Sequence, residues 1–156
     1  MITIISEDGC RLAVDIHRRG NDTALILAHG FYNNKDAYLF KEMALRFKEF
    51  YDVIAFDFRG HGKSDGWFSW TADEVKDMNA VVAWTKEQGY RRIGVIGFSL
   101  GAAIALITAA ENRDINSVIA VSAPYDFWRI DYRFWEPEML EDLKLNLGYK
   151  GKGKGV

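Results

Sequence analysis

Ser99 is the residue of this sequence best suited to covalent chemistry. It is the centre of a G-x-S-x-G pattern that begins at Gly97 and ends at Gly101. The pattern lies where an apolar strand predicted over residues 92–98 ends and an alanine-rich helix predicted over 100–111 begins. Such a tight turn needs glycine on both sides of the serine, and it holds the hydroxyl exposed in a strained conformation. We therefore predict Ser99 as a nucleophile; the simpler interpretation is a glycine-cornered turn with an incidental serine.

A second short motif follows the strand predicted over residues 23–28. A serine that attacks a carbonyl group creates an oxyanion, which is usually stabilised by two backbone N–H groups. One donor is the residue after the nucleophile, here Leu100, and the other comes from the loop after an earlier strand, here Phe31. Gly30 would let that loop approach closely, and we interpret His29 as a structural hydrogen-bonding residue.

The rest of the chain predicts elements that would carry these two motifs. Further strands are expected over 2–6, 11–17, 53–58 and 117–122, with a hairpin turn at 7–9. One helix would be capped by Asn34, with Phe40, Met43, Phe47 and Phe50 on its apolar face, and another would begin in the capping box Thr71–Glu74. Strands that alternate with helices predict a mostly parallel sheet with helices on both faces and the hairpin at its edge.

A third motif, D-x-R-G-H-G-x-S over residues 57–64, lies between the other two. In this order the three motifs resemble the α/β-hydrolase superfamily, particularly its esterases, monoacylglycerol lipases and serine aminopeptidase-like hydrolases. The resemblance implies an α/β-hydrolase core over 1–124 and the start of a cap with a basic glycine-lysine tail over 125–156. It also implies that the 57–64 loop is architectural, so His61 is expected to be structural.

The chain departs from that family in its histidines. The family's catalytic triad runs serine, acid, histidine along the chain, and serine needs a base to accept its proton. All the histidines here precede Ser99, namely His17, His29 and His61. Asp126 is a weak candidate for the acid, and Asp131 follows it. With about six strands, the fold is expected to be incomplete through truncation, a break in the cap, or a partner that supplies the remainder.

The resemblance implies a serine hydrolase that acts on carboxylic esters, or amides, through an acyl-enzyme and without metal or cofactor. The alternative is a non-catalytic or truncated fragment that acts at most as a binding module. Aromatic side chains would line an acyl pocket or lid, or would simply pack the cap: Trp67, Phe68, Trp70 and those from Tyr125 to Trp135. The expected partner is a small ester or acyl substrate, and an exposed sheet edge would favour self-association.

Composition argues against several other classes. A net charge of −2 and a pI near 5.9 do not favour nucleic acid as a partner. No apolar run is long enough to span a bilayer, no signal peptide is recognised, and a cytoplasmic location is expected. The single cysteine, Cys10, excludes an internal disulfide and a pair of cysteine metal ligands. Gly62-Lys63-Ser64 resembles the end of a phosphate-binding loop, but Asp57 occupies the position of that motif's first glycine.

Overall fold

The structure is a computed structural model, and it describes residues 1–126. These residues form six strands and three helices in an alternating order. The strands are β1 (Ile2–Ile5), β2 (Arg11–His17), β3 (Thr23–Ala28), β4 (Asp52–Phe56), β5 (Arg92–Phe98) and β6 (Ser117–Val121). The helices are α1 (Tyr38–Phe47), α2 (Glu74–Glu87) and α3 (Leu100–Glu111). The sequence also predicts a helix that begins at Pro137 and ends at Gly148; it lies outside the described part of the chain, as do the aromatic residues from Phe127 to Trp135.

The six strands form one sheet in the order β1-β2-β4-β3-β5-β6. β1 pairs with β2, and β2 with β4, in antiparallel register, whereas the β4–β3, β3–β5 and β5–β6 pairs are parallel. Parallel neighbours require crossover connections, and helices α1, α2 and α3 provide them. The predicted α/β fold, with an antiparallel hairpin at the edge of a mostly parallel sheet, is confirmed.

Both faces of the sheet are covered by helices, although unequally. On one face, Ile26, Ile54 and Val95 pack with Met78 of α2 and Leu100 of α3. On the other face, a smaller cluster joins strands β3, β4 and β5 to α1, and its members are Leu25, Leu27, Phe40, Ala44, Val53, Ala55 and Ile96. The parallel strands are apolar on both sides for this reason.

The start and end of α1 differ from the prediction. Asn34 does not cap the helix: its side-chain oxygen accepts a hydrogen bond from the Asp36 N–H at 2.9 Å, inside a separate turn. The helix begins at Tyr38, and Phe50, expected on its buried face, lies beyond its end with 71% of its surface exposed. Asn and Asp side chains stabilise turns as well as helix starts, and sequence spacing does not separate the two roles.

The start of α2 also lies later than the capping box implied. The Glu74 carboxylate does accept a hydrogen bond from the Thr71 N–H at 2.7 Å, as the motif predicts. The helix nevertheless begins only at Glu74, because Trp70 and Thr71 have φ values of 54° and 79° and leave the right-handed helical region. Among the described residues, no helix is long and apolar enough to cross a membrane.

Candidate active site

Ser99 occupies a sharp turn between β5 and α3. Its φ of 50° and ψ of −116° lie outside the conformations that side-chain-bearing residues ordinarily adopt, and the residue is exposed. Its own N–H donates a hydrogen bond to the Val121 carbonyl of β6 at 2.8 Å. Its carbonyl accepts hydrogen bonds from the Ala102 and Ala103 N–H groups in the first turn of α3. Strained backbone that is held by neighbouring hydrogen bonds is typical of functional sites.

Two glycines make this turn sterically possible. A Cβ atom on Gly97 would overlap the carbonyl oxygen of Gly101, the second residue of α3. A Cβ atom on Gly101 would overlap the carbonyl oxygens of His29 and Ala28, at the end of β3. The two positions therefore bring the start of α3 into direct backbone contact with β5 and with the end of β3.

The loop after β3 lies against the same turn. A Cβ atom on Gly30 would be 3.2 Å from the Ser99 Cβ and 3.2 Å from the Phe98 carbonyl oxygen. The adjacent residue is Phe31, one of the two predicted oxyanion donors. The other donor, Leu100, is the first residue of α3 and buries its side chain in the core. Its N–H has no acceptor within the helix, because the first N–H groups of a helix never do.

His29 lies inside the protein and connects two loops. Its Nδ1 lies 2.7 Å from the Gly30 carbonyl oxygen, and its Nε2 accepts a hydrogen bond from the Phe58 N–H at 3.0 Å. Complete burial, with a smaller contribution from His61, lowers the pKa of His29 to about 3. The ring is therefore neutral, donates from Nδ1 and has no nitrogen left for Ser99, which matches the structural interpretation.

Comparison with known proteins assigns the family. Residues 23–150, more than half of the chain, match the family described as "alpha/beta hydrolase fold". The chain belongs to the α/β-hydrolase family. A solved esterase from Pyrococcus furiosus is 34% identical with a TM-score of 0.75, and the match covers 79% of this chain and 51% of that one.

The curated relatives of this α/β-hydrolase chain are named for different activities. A 2-(acetamidomethylene)succinate hydrolase of Mesorhizobium japonicum is 29% identical over 118 residues, which are 74% of this chain and 41% of that protein. A probable alcohol acetyltransferase of Cyberlindnera fabianii is 28% identical over 102 residues, or 64% of this chain and 27% of that protein. The chain thus spans half or less of the length of these relatives.

Hydrogen bonds made by Asp57 and Ser64 fix the conformation of the 57–64 loop of this α/β hydrolase. The Asp57 carboxylate accepts hydrogen bonds from the Lys35 and Lys63 N–H groups at 2.7 and 2.9 Å. The Ser64 hydroxyl donates to the Asp57 carbonyl at 2.5 Å and accepts from the Ala13 N–H at 2.9 Å. Both hydrogen bonds of the Ser64 hydroxyl are therefore made within the protein. No helix starts at Lys63, so this segment does not have the geometry of a phosphate-binding loop.

The other two histidines differ in position. His61 is buried, its Nδ1 lies 2.9 Å from the Arg59 carbonyl, and burial lowers its pKa. His17 pairs with Val53 near the amino end of β4, whereas Ser99 follows the carboxyl end of β5, so His17 lies at the opposite end of the sheet. Within residues 1–126 no hydrogen bond joins Ser99 to a histidine.

The Cys10 thiol donates to the Asp65 carbonyl at 3.4 Å, and burial raises its pKa to about 11, which favours the unreactive thiol. Asp126, the weak candidate for the acid, is half-buried at the end of the described chain, and its role stays a prediction. Asp131 lies outside the described residues.

The sequence did not predict one set of hydrogen bonds, those accepted by the Glu74 carboxylate. The buried Glu74 carboxylate accepts hydrogen bonds from the Ser69 N–H at 2.7 Å and the Ser69 hydroxyl at 2.9 Å, besides that from Thr71. It thereby holds the strained segment that contains Trp70. The capping-box spacing was the only signal in the sequence, and it indicated a helix start rather than the hydrogen bonds between Ser69 and Glu74.

We predict that Gly101→Ala destabilises the protein by about 2 kcal/mol or more, because the new methyl group overlaps backbone that cannot move independently. Urea unfolding measures the change. Gly89→Ala is the matched control: Gly89 has a φ of 89° and open space around it, so it should lose only about 1 kcal/mol through backbone conformation. Equal losses at the two positions would contradict the close contact at the elbow.

We predict a pH dependence of stability that arises from His29. Its folded pKa of about 3 lies below the ordinary 6.5, so below pH 6.5 the unfolded state binds a proton that the folded state does not. Stability should therefore fall as the pH falls from 7 to 5. In His29→Gln the slope should be smaller by up to about 1.4 kcal/mol per pH unit. Urea unfolding at several pH values measures both slopes, and identical slopes would contradict a neutral, buried His29.

Proposed function

We propose that this chain carries the nucleophile and oxyanion hole of a serine hydrolase that acts on carboxylic esters, with amides as the alternative acyl substrates. The observation that carries the proposal is the strained, exposed Ser99 with the Gly30 backbone directly beside it. The backbone that follows β3 and the backbone that follows β5 meet at Ser99, and acyl transfer requires N–H donors beside the attacking serine.

In this mechanism the Ser99 oxygen attacks the substrate carbonyl carbon and passes its proton to a base. The oxyanion accepts hydrogen bonds from the N–H groups of Phe31 and Leu100. The alcohol then leaves with a proton, and water hydrolyses the ester formed on Ser99 to release the acid and restore the hydroxyl. Loss of one oxyanion donor costs about a hundredfold or more in turnover.

The base and acid of this mechanism are not His29, which is committed to two loops, or His17, at the far end of the sheet. In the proposal they come from polypeptide that completes the fold, because the chain spans about half of the Pyrococcus furiosus esterase. Without a base, serine hydrolases lose about a millionfold in turnover. The alternative, a non-catalytic fragment that keeps the elbow only as a binding surface, predicts no acylation at all.

We expect a fluorophosphonate to label the purified chain once, slowly, and at Ser99. The oxyanion hole and substrate binding retain a residual advantage of about a thousandfold over water even when the triad is incomplete. Intact-mass analysis followed by peptide mapping measures the adduct.

Ser99→Ala should abolish this adduct, whereas Ser117→Ala, which removes another exposed serine, should leave it unchanged. Rapid labelling would show that a base reaches Ser99 from elsewhere in the protein. Absence of any adduct in the folded chain would support the non-catalytic alternative.

We also propose that the chain associates with a second copy through β6. β6 pairs only with β5, and no strand within residues 1–126 pairs with its outer edge. Ile119 is 57% exposed, and beside it a groove on the α1 face of the sheet is lined by the apolar Leu25, Phe47 and Ile96 and by polar residues that include Arg92 and Asn116. An exposed apolar edge strand of this kind is a template for strand pairing.

Size-exclusion chromatography with light scattering should show a concentration-dependent dimer or larger species. Ile119→Lys should reduce it, because a charge on an edge strand opposes pairing. Ile5→Lys is the matched control, since Ile5 is 56% exposed on the opposite edge strand. A monomer at all concentrations, or equal effects of the two substitutions, would overturn association through β6.

A further inference from the structure

Four aromatic residues meet beside the proposed oxyanion loop. The Phe31 ring centroid lies 4.5 Å from that of Phe68, 4.9 Å from that of Trp70 and 4.1 Å from that of Tyr32. Phe68 and Trp70 also contact each other, with centroids 4.8 Å apart. We name Phe31, Phe68 and Trp70 the aromatic wall. All of its members are half-buried rather than fully enclosed.

The wall begins one residue after the glycine that lies beside the nucleophile. Phe31 directly follows Gly30, and Gly30 is close enough to Ser99 that a Cβ atom on it would lie 3.2 Å from the Ser99 Cβ. The residue proposed to bind the oxyanion through its N–H thus also contributes a ring to the wall.

The wall is held by the backbone and not only by side-chain packing. Trp70 has a φ of 54°, which is unfavourable for a bulky residue and persists only where the surroundings impose it. The constraint is Glu74, whose carboxylate accepts hydrogen bonds from Ser69 and Thr71 on either side of Trp70. Hydrogen bonds to Glu74 therefore hold the unfavourable backbone conformation of Trp70.

Phe68 is fixed in a different way. A Cβ atom on Gly60 would lie 2.6 Å from the Phe68 backbone nitrogen, so the backbone of Phe68 contacts the 57–64 loop directly. Gly60 has a φ of 70°, a conformation that favours glycine. Phe68 also makes an edge contact with the ring of His61, at 5.4 Å between centroids. Burial lowers the pKa of His61, so this neighbour is neutral near pH 7.

We propose that the aromatic wall binds an aromatic ring of the ester substrate, and that this chain selects aromatic esters over saturated ones of the same size. This inference rests on the proposed function, because it assigns the substrate class of the same site. Aromatic rings prefer edge-to-face or offset contacts with one another, and such contacts contribute to affinity beyond the area they bury. The wall offers three rings in different orientations, with interplanar angles of 30°, 39° and 63° between its members.

The test measures binding without chemistry. N-methyl-2-naphthamide and its fully saturated decahydro counterpart are titrated into the full chain by calorimetry, and both are titrated into Ser99→Ala. The naphthamide should bind about 3- to 10-fold more tightly than the saturated amide, which corresponds to the contribution of aromatic contacts. The preference should persist in Ser99→Ala, since the wall does not use the serine hydroxyl.

Two tryptophans of the same segment provide matched variants. Trp70→Leu should remove most of the preference, whereas Trp67→Leu, at a position that is 58% exposed and outside the wall, should leave it unchanged. Trp70→Phe keeps a ring at the same position and should retain part of the preference. Circular dichroism and the unfolding midpoint establish that each variant is folded.

Equal affinity for the two amides, or no binding of either by the folded chain, would overturn the proposal. A preference that Trp67→Leu removes and Trp70→Leu keeps would overturn the assignment to the wall. Failure of the proposed function gives a different result, because a chain without a reactive Ser99 would show no fluorophosphonate adduct whatever its affinity for the amides.

Discussion

The close backbone contact between Gly101 and the carbonyl groups at the end of β3 is the constraint on which the site depends. β3 and β5 are neighbours in the sheet, and Ala28 pairs with Gly97. A helix that starts immediately after β5 must therefore pass over the end of β3. It can do so only because Gly97 and Gly101 lack the Cβ atoms that would collide with neighbouring backbone. The same contact brings the loop after β3 to within van der Waals distance of Ser99.

Buried polar groups complete the arrangement by fixing the loops at this end of the sheet. His29 joins the loops that follow β3 and β4, and Asp57 accepts backbone hydrogen bonds from both loops. Arg59 donates to the Asp77 carboxylate of α2 at 2.7 Å and to Asp8 in the first hairpin at 2.7 Å. Removing one partner of such a buried pair is costly, so the loops are held in one arrangement. Catalysis by preorganised dipoles requires this kind of rigidity.

The described half of the α/β-hydrolase fold is asymmetric. One edge of the sheet is an antiparallel hairpin, whereas the other, β6, is a parallel strand with exposed apolar residues. Parallel sheets are ordinarily buried on both faces. In the proposed reaction the nucleophile and the oxyanion donors belong to this half, while the base belongs to the part that relatives of about twice the length possess. Folding of the elbow and completion of the triad are thus separate requirements on the polypeptide.

Much of the fold was predictable because its signals are local. The apolar strands, the alternation with helices and the glycines around Ser99 are properties of short segments, and all six strands were predicted within two residues of their observed ends. The structural role of His29 was also predicted, but not its partner Phe58, which lies 29 positions away in the chain. Spacing within a segment does not reveal which distant backbone group completes a hydrogen bond.

The errors in the predicted starts of α1 and α2 also arise because short-range spacing was the only signal. Asn34 and the Thr71–Glu74 pair carry signals that are equally compatible with a turn and with a helix start, and in the structure both form hydrogen bonds within a turn. By itself the sequence determined the order of elements and the glycines that the elbow requires. Only the tertiary structure decided that Glu74 holds Trp70 in a left-handed conformation beside Phe31. The reason is physical: helix and strand preferences arise between neighbours in the chain, whereas a site forms from groups that only the packed sheet brings together.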